Sequence, residues 1–201
     1  MSWIKIINYE KAGTKLKLIY KRVKGPNDNI DNVLMIYSLR PHTLEGHMKL
    51  YKSVLHHSGN TLPKWYLESI GVYVSHLNHC DYCVEHHSAG LKRLLNNEKR
   101  STLFFEAIDS NNLKSFFDPK YLAGINYAKK LTLSLRKVNE ADVKLLQHVG
   151  FTDGEILEIN QVTSYFNYVN RSVLGLGVIT KGDIIGLSPK ESDDPQNWNN
   201  S

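Results

Sequence analysis

The chain has 201 residues, 41% of them apolar and 22% charged, with a formal net charge of +5. That length can bury a sizeable core, which predicts a single domain, 1–187, followed by a polar C-terminal tail, 188–201. The basic residues come in scattered pairs such as Lys21-Arg22 and Lys129-Lys130, so no nucleic-acid partner is expected. No stretch reaches the roughly 18 uninterrupted apolar residues of a membrane span.

The N-terminal stretch MSWIKIINYEKAGTKLKLIYKRVK mixes charge among its apolar residues and lacks the apolar core of a secretion signal. The expected compartment is the cytoplasm, where thiols stay reduced. Leu16, Ile19, Tyr20 and Val23 fall on one helix face, and Gly25-Pro26 stops that helix. A short apolar run from Val33 to Leu39 precedes Pro41, which opens a helix carrying Leu44, Met48, Tyr51 and Leu55. Gly59-Asn60 breaks it. Thr61 followed by Pro63 marks the next start, continued by Leu67, Ile70, Gly71, Val74 and Leu77, with Asn78 and His79 as the interruption.

A new helix begins near Cys80, with Cys80, Val84, His87, Leu91 and Leu94 on one stripe. Asp118-Pro119 starts another, carrying Tyr121, Ile125, Ala128 and Leu135. Thr152-x-x-Glu155 reads as a capping box, and the helix behind it presents Ile156, Ile159, Thr163, Phe166, Asn170 and Val173 before Gly175 and Gly177 end it. Ser75-x-x-Asn78 and Ser164-x-x-Asn167 each close an apolar helix, a hint of internal duplication. No period-two alternation appears, and the fold class is all-α.

Residues 78–87, NHCDYCVEHH, hold both cysteines of the chain. On a helix, residues three and four apart are neighbours, so Cys80 and Cys83 are adjacent, as are Cys83 and His87. The thiolate is the reactive form of cysteine, and a helix N-terminus favours the anion. His87 is placed to accept the Cys83 proton, and a second sulfur one turn away can resolve a sulfenic acid as a disulfide. Glu68, on the preceding helix, would reach the histidine or the thiols if the turn at Asn78 folds that helix back. Three other readings compete with redox chemistry. A zinc ion could be held by Cys80, Cys83, His87 and His79 or His86, although the second ligand pair lacks the usual spacing. Two inert core cysteines are a further possibility, and a thioredoxin-like site would need a βαβ context that is absent.

The spacing Glu68-x11-Cys80-x2-Cys83-x3-His87 resembles the alkylhydroperoxidase D-like group of the carboxymuconolactone decarboxylase superfamily. Arg40-Pro41 ahead of the Leu44 helix, SHLNHCDYCVEHHSAGL and GFTDGEILEINQVTSYFNYVNRSVLGLGV are similar to its peroxidase-related branch. The resemblance implies an all-helical homo-oligomer, a trimer or hexamer, that reduces hydroperoxides through the two cysteines. Glu68, Cys80, Cys83 and His87 occupy the catalytic positions. No bound cofactor is implied; the electrons come from an external thiol, dithiol or reductant protein. Tyr82 stands where the best-known members carry a histidine, leaving His76, His79 or His86 as substitutes, or Tyr82 itself as a hydrogen-bond donor. Decarboxylases of the superfamily lack the paired cysteines, so lactone decarboxylation is not expected. Asn167, Asn170 and Arg171 fall on the helix beside the active one, in a role holding the fold or a subunit contact. A structural or metal-binding oligomer without catalysis is the alternative, and a quinone or lactone electrophile on the same scaffold is a third reading.

Overall fold

The computed structural model describes residues 2–188 and Trp198. The first predicted stripe forms α1, Thr14–Val23, with Leu16, Ile19, Tyr20 and Val23 all buried. The run after it makes a single turn, α2, Asn32–Met35, and Pro41 opens α3, Pro41–Tyr51. Proline suits that position because the first helical N–H has no intrahelical partner to lose. The predicted continuation through Leu55 is not regular. The chain widens into a π-helical turn, Lys52–His56, a device common at functional sites.

α4, Lys64–Leu77, is the central helix, with every residue from Tyr66 to Ser75 buried. A helix buried on all sides must be covered on all sides. Accordingly α5 (Asp81–Leu95), α7 (Pro119–Leu133) and α9 (Asp153–Gly175) pack against it. The six predicted stripe positions of α9 are all buried, and the Thr152–Glu155 capping box closes at both bonds. Asp118 caps α7 by accepting from the Tyr121 N–H. Two further helices, α6 (Glu98–Asp109) and α8 (Glu140–His148), begin at Asn97 and Asn139, whose side chains accept from the backbone N–H of Arg100 and Ala141. All regular elements among the described residues are helical.

Two stripe positions and the suggested repeat differ from the sequence reading. Leu94 is exposed and Leu95 takes the inward place in α5. Leu135 lies beyond the end of α7 in a separate 3-10 turn, Leu135–Lys137, and is exposed. Ser164 faces solvent whereas Ser75 is fully buried, so the two Ser-x-x-Asn segments are not equivalent. A second small core joins α1 to Leu34, Leu44, Met48 and Trp198. The Arg22 guanidinium stands 3.5 Å from the Trp198 ring centroid. Apart from Ser188 and Trp198, the predicted tail 188–201 lies outside the described residues.

α4 and α9 approach each other closely at Gly71. A Cβ there would lie 2.3 Å from two ring carbons of Phe166, which is itself fully buried. Gly71→Ala is therefore expected to destabilise the protein by about 1–3 kcal/mol through overpacking. The readout is a lower denaturant midpoint at unchanged slope; an unchanged midpoint would mean that Phe166 yields freely.

Candidate active site

The site is built on the reversal between α4 and α5. α4 ends at Asn78, and the chain turns through His79 at φ 56°. The His79 N–H donates to the His76 carbonyl at 3.0 Å and the Cys80 N–H to the Ser75 carbonyl at 2.9 Å. These are the two bonds of a left-handed helix stop, a position glycine usually fills and histidine fills at a modest cost. The turn leaves Cys80 at the N-cap of α5, where unpaired helix N–H groups favour negative charge.

Both cysteines are free thiols and both are buried. The Cys80 thiol lies below its ordinary pKa because the Cys83 thiol interacts with its sulfur; burial opposes this, and the Cys83 backbone N–H and the Asn170 side chain reinforce it. No capping hydrogen bond of full geometry is closed there, so the N–H acts as a nearby dipole. Cys83 is raised for the converse reason, since its interaction with Cys80 holds its proton and burial adds to the effect. The first proton to leave the pair therefore leaves Cys80.

Glu68 projects from the buried face of α4, and its Oε2 lies 2.8 Å from His87 Nδ1 on α5. Burial alone would raise the carboxyl, but the adjacent His87, its hydrogen bond, and His56 and Lys64 hold it below its ordinary value. The edge-on Phe166 ring, 4.7 Å from the His87 ring, fixes the imidazole from the α9 side. The structure thus brings Glu68 to His87, and Cys80 to Cys83.

Three of these four residues border one cavity of about 60 Å³. Cys83, Glu68 and His87 line it together with Tyr51, His47 and the segment Gly186–Ser188; Cys80 is not among its lining. Tyr82 lines the cavity too, but its hydroxyl is bound away from the thiols. It donates to Asp183 Oδ2 at 2.5 Å and accepts from the Val33 N–H, pinning the 179–187 segment beside the cavity. Asp183 also accepts from the Asn32 N–H. His86 stacks on Tyr82 with centroids 4.6 Å apart and lies 3.4 Å from Asp183, an ion-pair distance without hydrogen-bond geometry. Burial raises nearby Asp31 to about 6, with His86 opposing and Asp183 adding to the shift. His79 is exposed on the turn and His76 is half-buried. Among the described residues no three His, Cys, Asp or Glu side chains are grouped to hold a metal ion.

Two features of the site escaped sequence reasoning. Asn170, read from the sequence as holding the fold or a contact ahead of positioning substrate, donates to Ser75 Oγ, accepts from Asn78 Nδ2, and favours the thiolate on both cysteines. Its place on an otherwise apolar stripe was the available signal. Asp183 is 101 residues from the tyrosine it binds, and no local pattern marks it.

No protein-family model matches the chain, and no curated protein matches it. Solved structures do. The alkylhydroperoxidase AhpD core of an uncharacterized peroxidase-related protein from Ralstonia eutropha JMP134 superposes with a TM-score of 0.77 at 24% identity, covering 90% of this chain and 93% of that one. An uncharacterized peroxidase-related protein from Silicibacter sp. TM1040 gives 0.76 at 22% identity over the same shares. A cysteine-to-alanine variant of the debrominase Bmp8, in complex with 2,3,4-tribromopyrrole, gives 0.69 at 15% identity, covering 90% of this chain and 95% of that one. No described helix is long and apolar enough to cross a membrane.

Proposed function

We propose, from the premise that this chain has the AhpD-core fold, that it is a dithiol peroxidase reducing small hydroperoxides through Cys80 and Cys83. An external thiol or dithiol returns it to the reduced form. The observation that carries the reading is the asymmetric thiol pair: one sulfur at a helix end favours the anion, and the other lines a cavity.

Cys83 passes its proton to the Cys80 thiolate and attacks the distal oxygen of ROOH. An S–O bond forms and the O–O bond breaks, giving a Cys83 sulfenic acid and an alkoxide. His87, which lines the cavity with Nε2 free, relays the proton held by Cys80 to the alkoxide. Cys80, a thiolate again, attacks the Cys83 sulfur, forming the disulfide and releasing hydroxide to solvent. The dithiol has lost two electrons, and the peroxide has gained them. Glu68 holds His87 through Nδ1, which leaves Nε2 as the nitrogen available to the cavity.

The test is to expose the reduced protein to hydrogen peroxide without added reductant. One equivalent of peroxide should disappear per chain, with loss of both free thiols and a Cys80–Cys83 disulfide in the intact mass. Thiols still titratable after that exposure would reject the reading. Stoichiometric zinc in protein purified without added metal would replace it with the structural, metal-binding alternative. The trimer or hexamer implied by the resemblance belongs to this proposal, and light scattering reads it directly.

A further inference from the structure

Tyr51 closes α3 where the helix gives way to the wide turn Lys52–His56. Its ring is held from several sides. It stacks on Tyr165 at 5.6 Å and meets His56 at 4.8 Å, His87 at 6.1 Å and His47 at 6.4 Å. It lines the cavity with Cys83 and Glu68. Yet its hydroxyl makes no hydrogen bond among the described residues. By contrast, the hydroxyls of Tyr66, Tyr82 and Tyr37 meet the Tyr121 carbonyl, Asp183 and Tyr168. A phenol hydroxyl on the wall of this cavity, with no partner among the described residues, is free to bond an oxygen that enters the cavity. A second orphan borders the same space. His47 is 5% exposed, its Nδ1 has no partner, and burial lowers it to about 4, so it is neutral near pH 7.

We propose that the Tyr51 hydroxyl is a catalytic donor that binds the leaving oxygen of the peroxide. The proposal rests on the peroxidase reading above and adds to it a residue outside the Glu–Cys–Cys–His set. As the S–O bond forms and the O–O bond breaks, negative charge gathers on the leaving oxygen. A fixed donor aimed at that position stabilises the transition state more than the ground state. Burial, with Glu68 and Asp31 adding, raises the phenol well above its ordinary pKa, so the proton needed for donation is present. Tyr51 starts and ends the step protonated, because the alkoxide receives the Cys80 proton.

The experiment compares two oxidants with leaving groups of very different basicity, using the full chain. Hydrogen peroxide expels hydroxide and needs a donor; peracetic acid expels acetate and does not. Tyr51→Phe keeps the ring and removes the donor. The rate of thiol oxidation by hydrogen peroxide should fall about 10–100-fold, the range for a hydrogen bond to a charged group. The rate with peracetic acid should change by less than about threefold, since little charge is left to stabilise. Equal losses with both oxidants, or no loss with hydrogen peroxide, would overturn the assignment. So would a selective loss in Tyr165→Phe without one in Tyr51→Phe. Should Tyr51→Phe fold poorly, 3,5-difluorotyrosine in place of Tyr51 supplies a stronger donor of similar shape. Its hydrogen peroxide rate should then rise relative to the peracid rate, and an unchanged ratio would overturn the assignment. A wild-type protein inert to both oxidants removes the peroxidase reading itself and this proposal with it, an outcome distinct from the others.

Discussion

Cys83→Ser is expected to lower peroxide consumption by about 1,000-fold or more, the scale on which enzymes lose rate with their nucleophile. The expectation comes from access. Cys83 borders the cavity and Cys80 does not, so only one sulfur meets the substrate. Cys80→Ser should behave differently. It removes the base and the resolving thiol but leaves the attacking sulfur, so a slow single oxidation should stop at a Cys83 sulfenic acid that a carbon nucleophile such as dimedone traps. Intact mass after labelling distinguishes the two variants. A dimedone adduct on Cys80 in Cys83→Ser, with none on Cys83 in Cys80→Ser, would invert the order of attack.

Glu68→Gln is expected to cost about 1–3 kcal/mol of stability, because it replaces the buried carboxylate that holds His87 Nδ1 at 2.8 Å. The pH dependence identifies the source. The folded carboxyl is held below its ordinary value of 4.5, chiefly by His87 acting against burial. A depressed carboxylate contributes stability that is fully present above its unfolded pKa and is lost as pH falls through the folded one. The part of the gap between wild type and Glu68→Gln that comes from the charge should therefore be full at pH 7 and be lost as pH falls through the folded carboxyl's pKa, below 4.5. Denaturant midpoints at both pH values read it; a gap of equal size at each would assign the cost to packing. Peroxide turnover should fall in the same variant by about 100-fold, within the range for a positioned acid–base group.

The legible parts of this protein are local. The α9 stripe and the Thr152–Glu155 box are short-range patterns, and the backbone obeys them because helix periodicity and capping act over three or four residues. The reversal at Asn78-His79 was legible for the same reason, as was the neighbourhood of Cys80 and Cys83. Leu94 and Leu135 were misread where the burial boundary depends on what covers the helix end. The π-helical turn after Tyr51 has no sequence signature of its own; it arises where Val54, Leu55 and His56 must all be buried. α6 and α8 have mixed surfaces that give no clean apolar stripe, and an Asn cap alone does not separate a helix start from a turn.

Sequence by itself determined the all-helical class, the helix that carries the two sulfurs, and the residues able to move protons near them. Tertiary structure alone decided which of those residues meet. It set Glu68 against His87, put Asn170 beside the thiols, tied Tyr82 to Asp183, and left the Tyr51 hydroxyl without a hydrogen-bond partner among the described residues. The division has a physical cause. Backbone hydrogen bonds and side-chain periodicity act over a single turn, whereas the environment of a buried charge depends on residues up to 101 positions away. Those residues are brought together by packing the apolar faces of α4, α5 and α9, a force without direction that leaves the pairing of polar groups to the shape of the assembled core.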